Sequence, residues 1–405
     1  MPSSEPDEAE SMILLRIFLG RFLRWSVRHT WSLVIGIVLL VVEVVGLAGS
    51  SVFFRVAALL SVGYGVFEIV RKATDDWQRL QRIYERERPD GPVVGQYEAP
   101  YDGWEEIELN SWRAVTDARI NARLIHGEKI AIERTPELWL PSGRYEELRK
   151  LLRVRLDADE KKIRLSRDFL SDSATISLQQ TVYSAFLVTN RLGLYKLRER
   201  GSEREILDSE EVLLRAGRIP TFDRSRCSNH LGVDVLAISS DGRILVTRQS
   251  AGNQVSRGLL ASSGSGSVDW DDLHEQDELV TLLARAMRRE MCEELGLHST
   301  ETPELGSILP LGYARFSHLG GKPQFFGVAR LDAANGRVQG IESRYIDDHL
   351  TIHFDPGRGV DELVQKIDKF ESNHRNEMSF PLHVNFQMIR RWLATDDQAG
   401  AWLGL

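Results

Sequence analysis

The chain has 405 residues, with 59 acids against 51 bases, a formal net charge of −8, 42% hydrophobic residues and 27% charged residues. Such a composition excludes a disordered chain, a collagen and a disulfide-built miniprotein, and the length leaves room for two or three domains. The acidic balance argues against general nucleic-acid binding, which takes a surplus of lysine and arginine.

Residues 1–30 read as an acidic tail and a basic amphipathic helix: no acid lies between Glu10 and Glu43, and Arg21, Arg24 and Arg28 fall on one helical face. Residues 31–72 read as a two-span transmembrane hairpin. The run 31–50 carries only Glu43, and the run 52–70 only Arg55 and Glu68; about 20 apolar residues cross a bilayer core. Glu43 and Arg55 would lie at similar depth and pair. Arginine and lysine flank both outer ends, and the connecting GLAGSS has none. The positive-inside rule then predicts a multi-pass inner (plasma) membrane protein with both termini cytoplasmic.

Residues 73–103 read as a charged helical stalk and a linker broken by Pro89, Gly91 and Pro92. Residues 104–224 mix strand-like runs (ARLIHGEKIAIE, TVYSAFLVTN, LGLYKL) with helical patches such as GRYEELRKLLRVRL, predicting an intermediate α+β domain without a catalytic constellation. The last domain is predicted over 225–395, with 396–405 as a tail. Within it HLGVDVLAISSDGRILVTRQS reads as two strands around the turn SSDG, PQFFGVARL as a strand, and SFPLHVNFQMIRRWL as an amphipathic helix. Cys227 and Cys292 have no metal-site spacing.

The chemistry concentrates in Arg289-Glu290-Met291-Cys292-Glu293-Glu294-Leu295-Gly296-Leu297, at the end of a helical stretch predicted to start near Asp271. Offsets of i, i+3 and i+4 bring the three glutamates onto one helical patch. Carboxylates so close repel one another, and a hard divalent cation with oxygen ligands relieves this. Gly296 then ends the helix in a left-handed conformation. The plainer reading is a charged, solvent-facing helix.

REMCEELGL matches the REUXEEXGU half of the Nudix box at every specified position, so residues 228–395 resemble a Nudix α/β/α sandwich. The resemblance implies that Glu290, Glu293 and Glu294 bind Mg²⁺ or Mn²⁺, that Arg289 orients them, and that a nucleoside diphosphate linked to another group is hydrolysed at its pyrophosphate. Gly264, Ser265 and Gly266 would then present backbone N–H groups to substrate phosphate. His318 and Arg248 are read as ordinary surface residues.

The full box GX5EX7REUXEEXGU places its first glutamate at Thr281 and its glycine at Glu275. One of Asp269, Asp271, Asp272, Glu275, Asp277 and Glu278 is therefore expected to replace the missing partner of Arg289, without the sequence saying which. The predicted class is thus α+β: a transmembrane hairpin, an intermediate domain and a Nudix sandwich. That order resembles the two-transmembrane Nudix effectors of bacterial CBASS anti-phage defence, which implies a cyclic-oligonucleotide activator; whether the chain forms a homo-oligomer the sequence does not say. The alternative is a catalytically degenerate Nudix nucleotide sensor that disrupts a membrane through the hairpin.

Overall fold

The central strand Gly232–Ser239 is buried along its whole length, because helices cover both faces of the sheet it belongs to. The computed structural model describes residues 103–135, 137–143, 160–194, 212–250, 258–297, 302–331 and 346–405, with short pieces at 85–87, 96–98, 145, 149, 196–198 and 205–207. All of these belong to one compact unit, Glu85–Leu405.

In chain order, β1 (Glu105–Leu109), β2 (Trp112–Thr116) and α1 (Ala118–Ile125) come first. There follow β3 (Ala131–Thr135), β4 (Lys161–Leu165) and β5 (Thr175–Val182). Next are β6 (Gly232–Ser239), β7 (Arg243–Gln249), β8 (Leu260–Ala261), β9 (Gly264–Ser267) and α2 (Leu279–Leu295). Last come β10 (Ile308–Phe316), β11 (Lys322–Leu331), β12 (Ile346–His353), α3 (Gly359–His374) and α4 (Phe380–Thr395).

The main sheet runs β8-β7-β6-β11-β10-β2-β1, with β9 also paired to β6 and β12 to β7. Its β6–β11 pair is parallel and its other pairs are antiparallel. On one face α2 packs Leu282, Met287, Met291 and Leu295 against Val233, Val235 and Phe325. On the other, α4 packs Val384, Phe386 and Trp392 against Leu236, Val328 and Phe326. Truncating any of these fully buried side chains to alanine costs about 2–5 kcal/mol.

The turn expected at SSDG is present, with Ser239 facing Arg243 across the hairpin. Ser379 caps α4 by accepting the Leu382 N–H, and Pro381 follows in the first turn. Strands from the predicted intermediate segment join the main sheet, since β2 pairs with β10. Arg315 in β10 is fully buried and bonds Asp168 at 2.9 Å and the Pro220 carbonyl at 3.1 Å, tying three parts of the chain together.

A smaller sheet, β3-β5-β4, is stitched to the main core by β4. The Ile163 N–H donates to the Val268 carbonyl and the Leu231 N–H to the Ile163 carbonyl, so β4 lies along the segment leading into β6.

Several expectations change. The run ARLIHGEKIAIE begins as helix α1, because Asp117 caps it and Ile120 and Leu124, four apart, both reach the core. The run TVYSAFLVTN leaves its strand at Val182 and turns helical at Tyr183–Leu187. Helix α2 starts at Leu279 and not near Asp271: Asp272 and Asp277 accept the backbone N–H groups of Asp269 and His274, holding this stretch in turns.

The membrane expectation is corrected as well. No helix among the described residues is long and apolar enough to cross a membrane. The predicted hairpin at 31–72, the amphipathic helix of 1–30 and most of the stalk lie outside those residues. Among the described residues the fold class is α+β, and none of their helices supports the expected membrane partner or multi-pass inner-membrane location. The likeness to membrane-spanning anti-phage effectors, and the cyclic-oligonucleotide activator it implies, rest on that architecture, which lies outside the described residues.

Candidate active site

Helix α2 lies so close to β9 that a side chain at Gly264 would meet helix backbone and one at Gly266 would displace the Glu290 carboxylate. A Cβ on Gly264 would sit 2.5 Å from the backbone of Met291, and one on Gly266 would sit 2.1 Å from the Glu290 carboxylate. The close approach fixes which side of α2 faces the sheet. The helix then ends at Gly296 with φ +65°, as its position predicts.

Arg289 organises the carboxylates. Its Nε and Nη2 donate to Asp272 at 3.1 and 2.9 Å, and Nη2 also donates to the Ser267 carbonyl at 2.9 Å. Its Nη1 donates to Glu290 at 2.9 Å and to Glu293 at 3.2 Å. Asp272 is thus the acid that answers for Thr281, held on a short 3₁₀ turn, Trp270–Asp272. Asp277 is occupied elsewhere, by Arg285 at 2.5 and 3.0 Å. Asp269 sits 3.4 Å from Arg289 and pairs more closely with Lys162 of β4.

The three glutamates differ in environment. The Glu293 side chain is 45% exposed, against 13% for Glu290. Burial pushes the Glu290 carboxyl up to about 7, and Glu293 adds to the rise while Arg289 and Lys162 oppose it. Glu294 is buried, and its pKa is raised well above the usual range, first by burial and then by Glu290. The Ser265 backbone N–H partially offsets this, but Glu294 Oε2 is buried without a hydrogen-bond partner.

Asp234 of β6, which the sequence reading missed, adjoins the same carboxylates. Ser262 Oγ and Asn385 Nδ2 donate to its Oδ1, the latter at 2.8 Å, while Oδ2 is buried without a partner. Burial pushes it up to about 6, and its charge acts on Glu294. An aspartate inside a strand of apolar residues was the one available hint.

The segment Gly264, Ser265 and Gly266, expected at the phosphate, is strand β9: its glycines face α2, and the Ser265 N–H serves Glu294. His318 is buried among Trp112, Phe316 and Phe380, where desolvation pushes its imidazole down to about 3. Arg248 pairs with Glu377 at 2.7 Å.

Buried like-charged carboxylates with unpartnered oxygens fit a hard divalent cation in their chemistry. Among the described residues no three His, Cys, Asp or Glu side chains are grouped tightly enough to hold one as they stand, and Arg289 bonds Glu290 and Glu293.

No family model matches the chain, and no curated protein matches it. Among solved structures it is similar to DR0079 from Deinococcus radiodurans, at 19% identity and a TM-score of 0.26, covering 40% of this chain and 82% of that one. It is also similar to Tm1382, a provisionally assigned Nudix hydrolase, at 12% identity and a TM-score of 0.28, covering 57% of this chain and 99% of that one. A third is a bifunctional NMN adenylyltransferase/ADP ribose pyrophosphatase from Francisella tularensis, bound to AMP and a manganese ion. There the identity is 15%, the TM-score 0.25, and 41% of each chain is covered. All three likenesses are distant, and the functional reading rests on this chain's own residues.

Proposed function

We propose that the chain is a Nudix-type, divalent-metal-dependent hydrolase that cleaves the pyrophosphate bond of a nucleoside diphosphate linked to another group. The observation that carries the reading is the Arg289 network: the arginine of REMCEELGL holds Glu290 and Glu293 on one side and Asp272 on the other, beside the buried, unpartnered oxygen of Glu294. Glu290, Glu293 and Glu294 would hold Mg²⁺ or Mn²⁺, which when bound neutralises a diphosphate and activates water for attack on phosphorus. Arg289, kept in place by Asp272, holds Glu290 and Glu293 at fixed separation, where both would be within reach of a bound cation. A carboxylate of the group accepts the proton from water as the bridging P–O bond breaks. The Gly264–Gly266 strand keeps α2 close, so that the Ser265 N–H orients Glu294.

A second reading has one observation in its favour. The carboxylates are not gathered into a ready ligand set, which also suits a domain that binds a nucleotide without turnover.

The test is to incubate the full chain with Mg²⁺ or Mn²⁺ and a panel of dinucleotides and nucleotide sugars, scoring products by mass spectrometry. Hydrolysis that disappears in Glu293→Gln supports the enzyme. Nucleotide binding without turnover across the panel supports the receptor.

A further inference from the structure

Strands β6, β9 and β11 reach a common edge where Gly232 pairs with Ser267 on one side and Gln324 on the other. Gly232 has no side chain, and its neighbours lean into the space: a Cβ there would lie 1.7 Å from Gln324 Oε1 and 2.5 Å from Lys322 Nζ. Lys322 is 6% exposed and bonds Gln324 Oε1 at 3.0 Å, with the Phe186 ring centroid 5.9 Å away. It forms no ion pair with a carboxylate among the described residues, and desolvation pushes its ammonium down to about 7.

His230 stands beside it, 2% exposed. Its Nε2 shares a hydrogen bond of 3.0 Å with Ser267 Oγ, its Nδ1 is buried without a partner, and its ring lies 4.6 Å from that of Phe186. In the tautomer where Ser267 Oγ donates to Nε2, Nδ1 carries the proton and lacks an acceptor. Both Lys322 and Lys162 act electrostatically on His230, and Lys162 acts in turn on Glu290. The basic group therefore adjoins the carboxylates of α2.

Burying an ammonium without a counter-charge is costly, and an unsatisfied buried N–H adds to that cost. A single oxyanion answers both, because it accepts from every donor on offer and brings the missing negative charge. We infer that Lys322 and His230 form an anion subsite that takes a phosphate group of a diphosphate-linked substrate, next to the carboxylate cluster. The identity of the substrate rests on the hydrolase reading; the subsite itself does not. Phe186 and Lys162 come from the 160–194 segment, so this subsite is assembled only when that segment packs against the strand ends.

The experiment titrates the full chain with inorganic pyrophosphate and, separately, ADP, in the presence of a chelator, following the thermal unfolding midpoint. Both ligands should raise the midpoint of the wild type. In Lys322→Met each should need at least tenfold more ligand for half the shift, while the ligand-free midpoint stays equal or rises, since a buried uncompensated charge is gone. Lys322→Arg, which keeps the charge, and His230→Gln, which removes the ring N–H, cover the case of a misfolded methionine variant: the first should retain the response and the second weaken it. A wild type that responds to neither ligand, or a Lys322→Met response equal to that of the wild type, overturns the subsite. Glu293→Gln should keep the metal-free response, so a wild type that binds these ligands yet hydrolyses nothing on the panel counts against the enzyme and not against the subsite.

Discussion

Asp272 holds Arg289 side-on, Nε at 3.1 Å and Nη2 at 2.9 Å, across 17 residues of chain. The same guanidinium carries Glu290 and Glu293 on its third nitrogen. A carboxylate on a loop thus sets the position of two carboxylates on a helix through one planar cation. Fork geometry makes the coupling directional in a way that a lysine would not reproduce.

Asp272→Asn should weaken Mn²⁺ binding about 10–100-fold, as loss of an outer-shell orienting group does. It should also destabilise the protein by about 1–3 kcal/mol, because Asp272 is almost fully buried and Arg289 only a quarter exposed. Asp269→Asn should do less to Arg289, which it faces at 3.4 Å. Calorimetric metal titration and urea unfolding read both effects; equal behaviour of the two variants would remove Asp272 from its role.

Gly264→Ala and Gly266→Ala separate packing from chemistry. The first methyl meets helix backbone at 2.5 Å and has nothing soft to push, so about 2–3 kcal/mol of stability should be lost. The second meets the Glu290 carboxylate, a side chain that can swing aside. Gly266→Ala should therefore unfold closer to the wild type and yet bind Mn²⁺ more weakly. The opposite ranking in urea would refute the close-approach argument.

Glu294→Gln should leave metal-free stability unchanged or improved, since it removes one of several mutually repelling buried carboxylates and an oxygen without a donor. Added Mn²⁺ should then raise the unfolding midpoint of the wild type and fail to raise that of the variant. A variant that still gains stability from Mn²⁺ would place the cation elsewhere.

Lys322 predicts a pH dependence. Burial lowers its folded pKa to about 7, below that of an unfolded lysine, so between those values the unfolded chain binds the extra proton and stability rises with pH. The groups around it are Gln324, His230, His318, Phe186 and, through His230, Lys162, and none supplies negative charge. Lys322→Met should stabilise the ligand-free protein by up to a few kcal/mol at pH 6–7 and progressively less toward pH 9–10. Denaturant unfolding across that range checks it; a difference independent of pH would mean that Lys322 carries no buried charge.

The helix bearing Glu290, Glu293 and Glu294, its stop at Gly296, the hairpin around Ser239–Arg243 and the capped helix after Ser379 were all legible in the residues. Each rests on local periodicity, a turn residue or a cap, which act within a few residues. The start of α2 was not legible, because the acids at 272 and 277 have two uses: they suit an exposed helix face as well as the backbone N–H groups of a turn. Helix α1 was misread for a related reason, its Ile120 and Leu124 being as compatible with a strand until the sheet offered them a face.

Local sequence alone therefore determined that an arginine and three glutamates share one turn-and-a-half of helix, since helical spacing is intrinsic to the backbone. Only the tertiary structure decided which of six nearby acids meets that arginine, that Gly264 and Gly266 serve close packing, and that Asp234, His230 and Lys322 join the site. Those choices depend on segments brought together by sheet pairing, and on burial, which changes the meaning of a charge without changing its place in the chain.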